Sequence, residues 1–118
     1  MLHRLQSDIL IHSGQAIETL LQPMQAEHEL FDSTATLNAV EAHLLVMAQT
    51  LAHLAPPLVL RLDRIDWQGW GRLQRLLESD DPTRQEAVWY GVRALVPATL
   101  ALVADLRRRE PGWFGLHV

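Results

Sequence analysis

The chain reads as an all-α protein, an antiparallel bundle of four main helices in one domain spanning residues 1–118. Three observations predict this. Apolar residues recur at three- and four-residue steps through most of the length, the period of helices with one face in a core. Pro23, Pro56-Pro57, Asp81-Pro82 and Glu110-Pro111-Gly112 cut that periodicity into four segments with short connections. The one run that could pass for a strand, Leu58 to Leu62, has no second strand to pair with and reads as an irregular link.

The first segment, Leu2 to Gln22, carries Leu2, Leu5, Ile9, Ala16, Ile17, Leu20 and Leu21 at helical spacing. Gly14 weakens its middle by about 1 kcal/mol relative to alanine without breaking so long a pattern. Pro23 ends it, because a proline pushes the preceding residue out of the helical region. Residues 24–33 read as a polar connector anchored by Leu30 and Phe31. Asp32, Ser33 and Thr34 then offer side-chain oxygens to cap a second helix, from about Ala35 to Ala55. Its stripe is Leu37, Val40, Leu44, Met47, Leu51 and Leu54. Leu45, Val46, Ala48, Ala52 and Ala55 widen the apolar surface past half the circumference, so this helix is central or meets a partner as well.

A short third helix, from about Trp67 to Leu77, sets Trp67, Trp70, Leu73 and Leu77 on one face and Arg72 and Arg75 on another. Glu78-Ser79-Asp80-Asp81 closes the segment as an acidic turn. Asp81 and Pro82 read as the N-cap and first residue of a fourth helix. Its face runs through Val88, Val92, Leu95, Val96, Leu100, Val103 and Leu106 to about Arg109. Pro97 lies inside it and predicts a kink or interruption near Leu95. Arg107, Arg108 and Arg109 suit the negative end of the helix dipole, and Trp113 and Phe114 follow on a tail that folds back.

With 48% hydrophobic and 20% charged residues, the composition is globular rather than disordered. No run of about eighteen uninterrupted apolar residues predicts a membrane span. His3, Arg4, Gln6, Ser7 and Asp8 stand where a signal peptide needs an apolar stretch, which makes the cytoplasm the expected location. The absence of cysteine excludes disulfides and thiolate metal sites. The net charge of -4 argues against broad binding of nucleic acid through its phosphates. It is unevenly spread, with one basic residue against six acids in residues 1–60 and nine arginines against eight acids in residues 61–118.

Six histidines raise a metal site, but His43 and His53, ten residues apart on one helix, point about 80° away from each other. No His-Glu-x-x-His or His-x-x-x-His spacing occurs, so neither metal nor cofactor is expected. Glycine-rich phosphate loops and Gly-x-Ser-x-Gly elbows are absent. Trp67, Trp70 and Trp89 could stack on bases, yet tryptophans on apolar helical faces are more often core. The densest charges are Arg72, Arg75 and Glu78, the candidate site residues. At three- and six-residue steps they also suit a solvated ion pair worth a few tenths of a kcal/mol.

The order of residues from Phe31 to Leu54, then Arg64-Ile65-Asp66-Trp67, then Glu86-Ala87-Val88-Trp89 through Leu95-Val96-Pro97, resembles the HepT-like HEPN family over roughly residues 5 to 106. Phe31, Ala39, Glu41, Leu44, Asp66, Trp67, Trp89 and Pro97 fall where that family has similar residues. The resemblance implies a small helical bundle that dimerises. Active members are ribonuclease toxins partnered with a minimal nucleotidyltransferase antitoxin.

The family's catalytic pattern, Arg-Asn followed after four to six residues by His-x-Tyr, is not matched. Its arginine falls on Leu73 or Gln74, its histidine on Glu78 or Ser79, its tyrosine on Asp80 or Asp81, and the glutamate of the second helix on Gln49. Metal-independent RNA cleavage needs a base for the 2′-hydroxyl and a proton donor for the leaving oxygen. Arg72 or Arg75 can hold a phosphate but cannot be the acid at neutral pH. The tyrosine a nucleotidyltransferase would modify is missing, since Tyr90 lies beyond the motif. The expectation is a catalytically degenerate homodimer, a binding or regulatory module of a toxin–antitoxin system with a nucleotidyltransferase partner. The alternative is an active metal-independent ribonuclease toxin with a rearranged site, which alone would make RNA a partner.

Overall fold

Helix α1, Leu2–Leu21, lies between α3, Thr34–Ala52, and α7, Val96–Arg109. The computed structural model describes residues 2–79 and 81–115. These residues form helices, with no strand among them. The other elements are α2 (Glu27–Asp32), α4 (Pro56–Arg61), α5 (Trp67–Leu77), α6 (Arg84–Tyr90), a π-helical turn (Gly91–Leu95) and a 3₁₀ turn (Pro111–Phe114). The molecule measures 43 × 27 × 20 Å, about two helix diameters at its thinnest.

Helix α1 runs antiparallel to both α3 and α7. Gln6 near the start of α1 donates to the His53 carbonyl (2.9 Å) and accepts from the Ala55 amide (2.9 Å), both just past the end of α3. Arg107 near the end of α7 reaches back to Asp8 (2.7 Å) and Ser7 (3.3 Å) on α1. Halfway along, the two backbones come close at Gly14, where a Cβ would lie 2.6–2.9 Å from the Leu100 side chain. Trp70 of α5 donates its indole N–H to Thr99 of α7 at 3.0 Å. The core between these layers holds Leu10, Ile17, Val40, Leu44, Met47, Leu51, Trp70, Leu73, Val88 and Val103. Leu44 and Leu51 are buried as the α3 stripe requires.

Several expectations are corrected. Residues 24–33 are not a plain connector, because Glu27–Asp32 form α2 with Leu30 fully buried. The Leu58 to Leu62 run is not an irregular link. Pro56 and Pro57 occupy the first helical positions of α4, where a missing amide costs nothing. Ser33 does not cap α3 with its hydroxyl, which instead donates to Thr36 Oγ1 at 3.0 Å. The fourth helix starts at Arg84 rather than Pro82, since the Asp81 carboxylate accepts from the Thr83 amide (2.8 Å) and hydroxyl (2.6 Å) in a turn of its own.

The last helix spans Arg84–Arg109, and its regular α-helical bonding gives way to the π turn Gly91–Leu95 just before Pro97, where the sequence predicts a kink or interruption. Leu95 and Val96 keep helical backbone angles, and the Val96 amide bonds the Gly91 carbonyl five residues back. The widened π turn just before Pro97 takes up the ring and the lost i−4 hydrogen bond. By length and mean hydropathy (1.5) this helix would suffice to cross a membrane, and a core helix passes the same test. Its inner side is core: Val88, Val92, Leu95, Val96, Val103 and Leu106 are all buried.

The largest departure is in α1. Its predicted stripe coincides with its inner face only in part: Ile17 is fully buried and Leu20 and Leu21 pack against the core, but the first turns depart from it. Leu2 and Leu5 are 53% and 58% exposed, while Gln6, Ser7, Leu10, Ser13, Gly14 and Ile17 are buried. Gln6 is satisfied by the end of α3, while the Ser7 hydroxyl donates to the Arg4 carbonyl of its own helix (3.0 Å) and accepts from Arg107 (3.3 Å). The tail does fold back: Phe114 is buried, Trp113 stacks on His3 (centroids 5.2 Å), and Arg61 lies 4.7 Å over Trp113.

Candidate functional site: the groove between α5 and α6

Helix α5 is set by its two ends and one face. Asp66 accepts from the Gly69 amide at 2.9 Å, capping the first turn. Trp70, Leu73 and Leu77 are buried, with Trp67 half-buried, and Arg72 and Arg75 project to solvent. The apolar face holds the helix against α3 and the π turn. Gly91 permits this approach, because a Cβ there would lie 2.9 Å from Leu73.

The structure does not bring the three predicted site residues together. Arg72 lines a groove of about 280 Å³ with Gly69, Leu73, Glu86, Ala87, Tyr90 and Leu95. Arg75 runs back along its own helix, its guanidinium near Gly71. Glu78 caps the end of α5 and accepts from the Gln74 amide at 3.2 Å. The expected Arg75–Glu78 ion pair is not among those of the described residues. Three residues apart, each finds a neighbour on its own helix instead.

The acidic turn does structural work. Hydrogen bonds from the Thr83 hydroxyl and then the Thr83 amide hold the Asp81 carboxyl below its ordinary value, and Arg72 adds a smaller attraction. Asp80, one of the two positions aligned with the family tyrosine, lies outside the described residues. Behind the turn, Arg84 grips Glu41 of α3 with two bonds of 2.9 and 2.8 Å and donates to the Ser79 carbonyl at 3.3 Å. A charged fork of this kind fixes the start of α6 against α3. Gln49, aligned with the family glutamate, is exposed on α3 and offers its backbone carbonyl to His53.

Two groups in the groove escaped the residue-by-residue reading. The Tyr90 hydroxyl donates to Asp66 Oδ2 at 3.3 Å, and Glu86 stands on the same wall. Asp66 and Tyr90 are 24 positions apart, and no local spacing signals that pairing. Trp70 is core, as its apolar spacing suggests, and Trp89 is half-buried with the Arg93 guanidinium 5.5 Å over its ring.

Chemically, the groove offers a guanidinium, a phenol held by a carboxylate, and a second carboxylate over an apolar floor. Arg72 can bind a phosphate or carboxylate. No histidine lines the groove. The described histidines lie on α1, α2, α3 and the turn after α3, and among the described residues no three His, Asp or Glu side chains converge as metal ligands do. No protein family, curated protein or solved structure matches the chain.

Proposed function

We propose that this chain is a HepT-like HEPN protein that has lost RNA cleavage and works as a dimeric binding or regulatory module beside a minimal nucleotidyltransferase in the cytoplasm. The observation that carries this reading is the chemistry of α5 and the turn after it. The resemblance puts the family's arginine, histidine and tyrosine there, and the chain has Arg72, Arg75 and Glu78 with no imidazole. A guanidinium stays protonated throughout the neutral range, so it can hold a phosphate without passing a proton to a leaving oxygen. Glu78 is exposed and bonded within its own helix. Asp81, also at the mouth of this segment, is committed to Thr83.

The fold is compatible with the family's. What supports it is that α1 runs antiparallel to both α3 and α7 and that α5 packs on α7 through Trp70; in this reading these helices make an antiparallel four-helix bundle of HEPN type whose last helix carries the proline. In this reading the Arg72 groove binds an anionic group without turning it over.

Incubating single-stranded RNA with wild type and with Arg72→Ala, in the presence of a chelator, tests it. No cleavage by either is expected. Cleavage by the wild type that disappears with Arg72→Ala would replace this reading with the active, rearranged ribonuclease. Co-purification with the product of an adjacent nucleotidyltransferase-like gene checks the partner.

A further inference from the structure

We propose that the groove between α5 and α6 is a binding site for a free α-amino acid with an aliphatic or aromatic side chain. This deepens the reading of the groove as an anion site, and rests on that clause of it alone.

The start of α5 meets the end of α6 at the bond from the Tyr90 hydroxyl to Asp66. Asp66 is spent there, because its other oxygen accepts from the Gly69 amide. Arg72 lies one turn beyond Gly69 on α5, and Glu86 lies one turn before Tyr90 on α6. The two therefore stand on facing walls of one cavity of about 280 Å³. Opposite charges in so small a space can close on each other. Arg72 and Glu86 do not: among the described residues neither forms an ion pair or a side-chain hydrogen bond. The Asp81 carboxylate attracts Arg72 only weakly, being bonded to Thr83. The groove thus holds one unspent cation and one unspent anion with a gap between them.

That pair of charges selects a class of ligand. A simple anion satisfies Arg72 but leaves Glu86 facing a charge of its own sign. A nucleic-acid strand meets the same repulsion along its phosphates. A molecule with a carboxylate and an ammonium on one carbon offers each wall its opposite. The Arg72 guanidinium donates two N–H bonds to the carboxylate, and Glu86 accepts from the ammonium. The Tyr90 oxygen, having given its hydrogen to Asp66, keeps lone pairs for a second ammonium N–H.

The rest of the groove sets the side chain. Leu73, Ala87 and Leu95 make an apolar floor, and the Tyr90 ring beside it is 52% exposed. An aliphatic or aromatic group laid there covers both. Size agrees as well. Ligand pockets run from roughly 300 to 1,000 Å³, so a cavity at or below the lower end takes a single amino acid rather than a peptide.

The test is a chemical-shift titration of the full chain with L-phenylalanine near pH 7, read at the Gly69 and Ala87 amides. Saturable shifts are expected. Phenethylamine lacks the carboxylate, 3-phenylpropionate lacks the ammonium and glycine lacks the side chain, and each is expected to bind at least tenfold more weakly. Glu86→Gln is expected to weaken L-phenylalanine at least tenfold while strengthening 3-phenylpropionate. Arg72→Gln is expected to weaken both, and Glu18→Gln, a charge change on α1, to alter neither. Helical circular dichroism is expected to be the same for all of them. If 3-phenylpropionate or inorganic phosphate binds as tightly as L-phenylalanine, and Glu86→Gln tightens every ligand, the groove is a plain anion site. The amino-acid proposal is then overturned and the anion reading stands. If Arg72→Gln changes nothing, or no probe gives a saturable shift up to roughly 10 mM, both are overturned. Neither result bears on RNA cleavage, which the chelated RNA incubation reads separately.

Discussion

Helix α5 meets the core with Trp70, Leu73 and Leu77, and keeps its arginines outside. Helix α1 meets the same core with Gln6, Ser7, Ser13 and Gly14 interleaved between Leu10 and Ile17, and keeps leucines outside. Both helices are anchored, but by different physics. Burial of apolar area holds α5. Close approach at Gly14 and a doubly bonded amide at Gln6 hold α1. An apolar stripe therefore identifies a face that wants covering, and does not say what covers it.

The sharpest way to break this comparison is to truncate one large apolar residue on each helix. Trp70→Ala removes a fully packed ring and its bond to Thr99, and is expected to cost about 3–5 kcal/mol in denaturant unfolding. Leu5→Ala is expected to change the stability of the monomeric chain by less than about 0.5 kcal/mol, because the side chain already stands in solvent. Equal losses at the two sites would mean that α1 is held by its stripe after all.

A smaller effect sharpens the same contrast. Gln6→Ala leaves the Ala55 amide and one His53 carbonyl position without their partner at a partly buried junction, and is expected to cost about 1–3 kcal/mol. Gln6→Leu makes α1 more apolar, yet it is expected to cost a similar amount, since an alkyl chain satisfies neither group. If Gln6→Leu were more stable than wild type, the amide clamp would not be what docks α1.

These particulars explain how much could be read in the chain alone. On α3 and α6–α7 one apolar face is dominant and lies inward, so Val40, Leu44, Met47, Leu51, Val88, Val103 and Leu106 were legible as core. On α1 two faces compete, and the winning one depends on Arg107 and the end of α3, contacts separated by about a hundred and about fifty residues that no window contains. Short helices α2 and α4 hide because six residues show too little periodicity. In the candidate site, the apolar face of α5 and the outward turn of Arg72 and Arg75 were legible. The groove was not, because Asp66, Arg72, Glu86 and Tyr90 meet only once α6 packs on α5.

The smallest effect concerns the turn that joins α5 to α6. Asp81 is fully exposed, and its carboxyl is held below the ordinary value first by the Thr83 hydroxyl and then by the Thr83 amide. A carboxyl depressed in the folded state contributes stability that is present above its unfolded value, roughly pH 3.9, and is lost as pH falls through the folded value. Thr83→Ala removes the largest cause and keeps the backbone bond. Wild type is therefore expected to melt slightly above Thr83→Ala near pH 7, with the gap closing as both are acidified toward pH 2. Thermal melts across that range check it. A gap that persists at the acid end would mean the hydroxyl acts through the turn's backbone rather than through the Asp81 charge. A gap that is absent at pH 7 would mean that exposure to water has screened the bond to insignificance. Either result would place the stability of the α5–α6 joint with Arg84 and Glu41 instead, whose fork spans α3 and α6 from a more sheltered position.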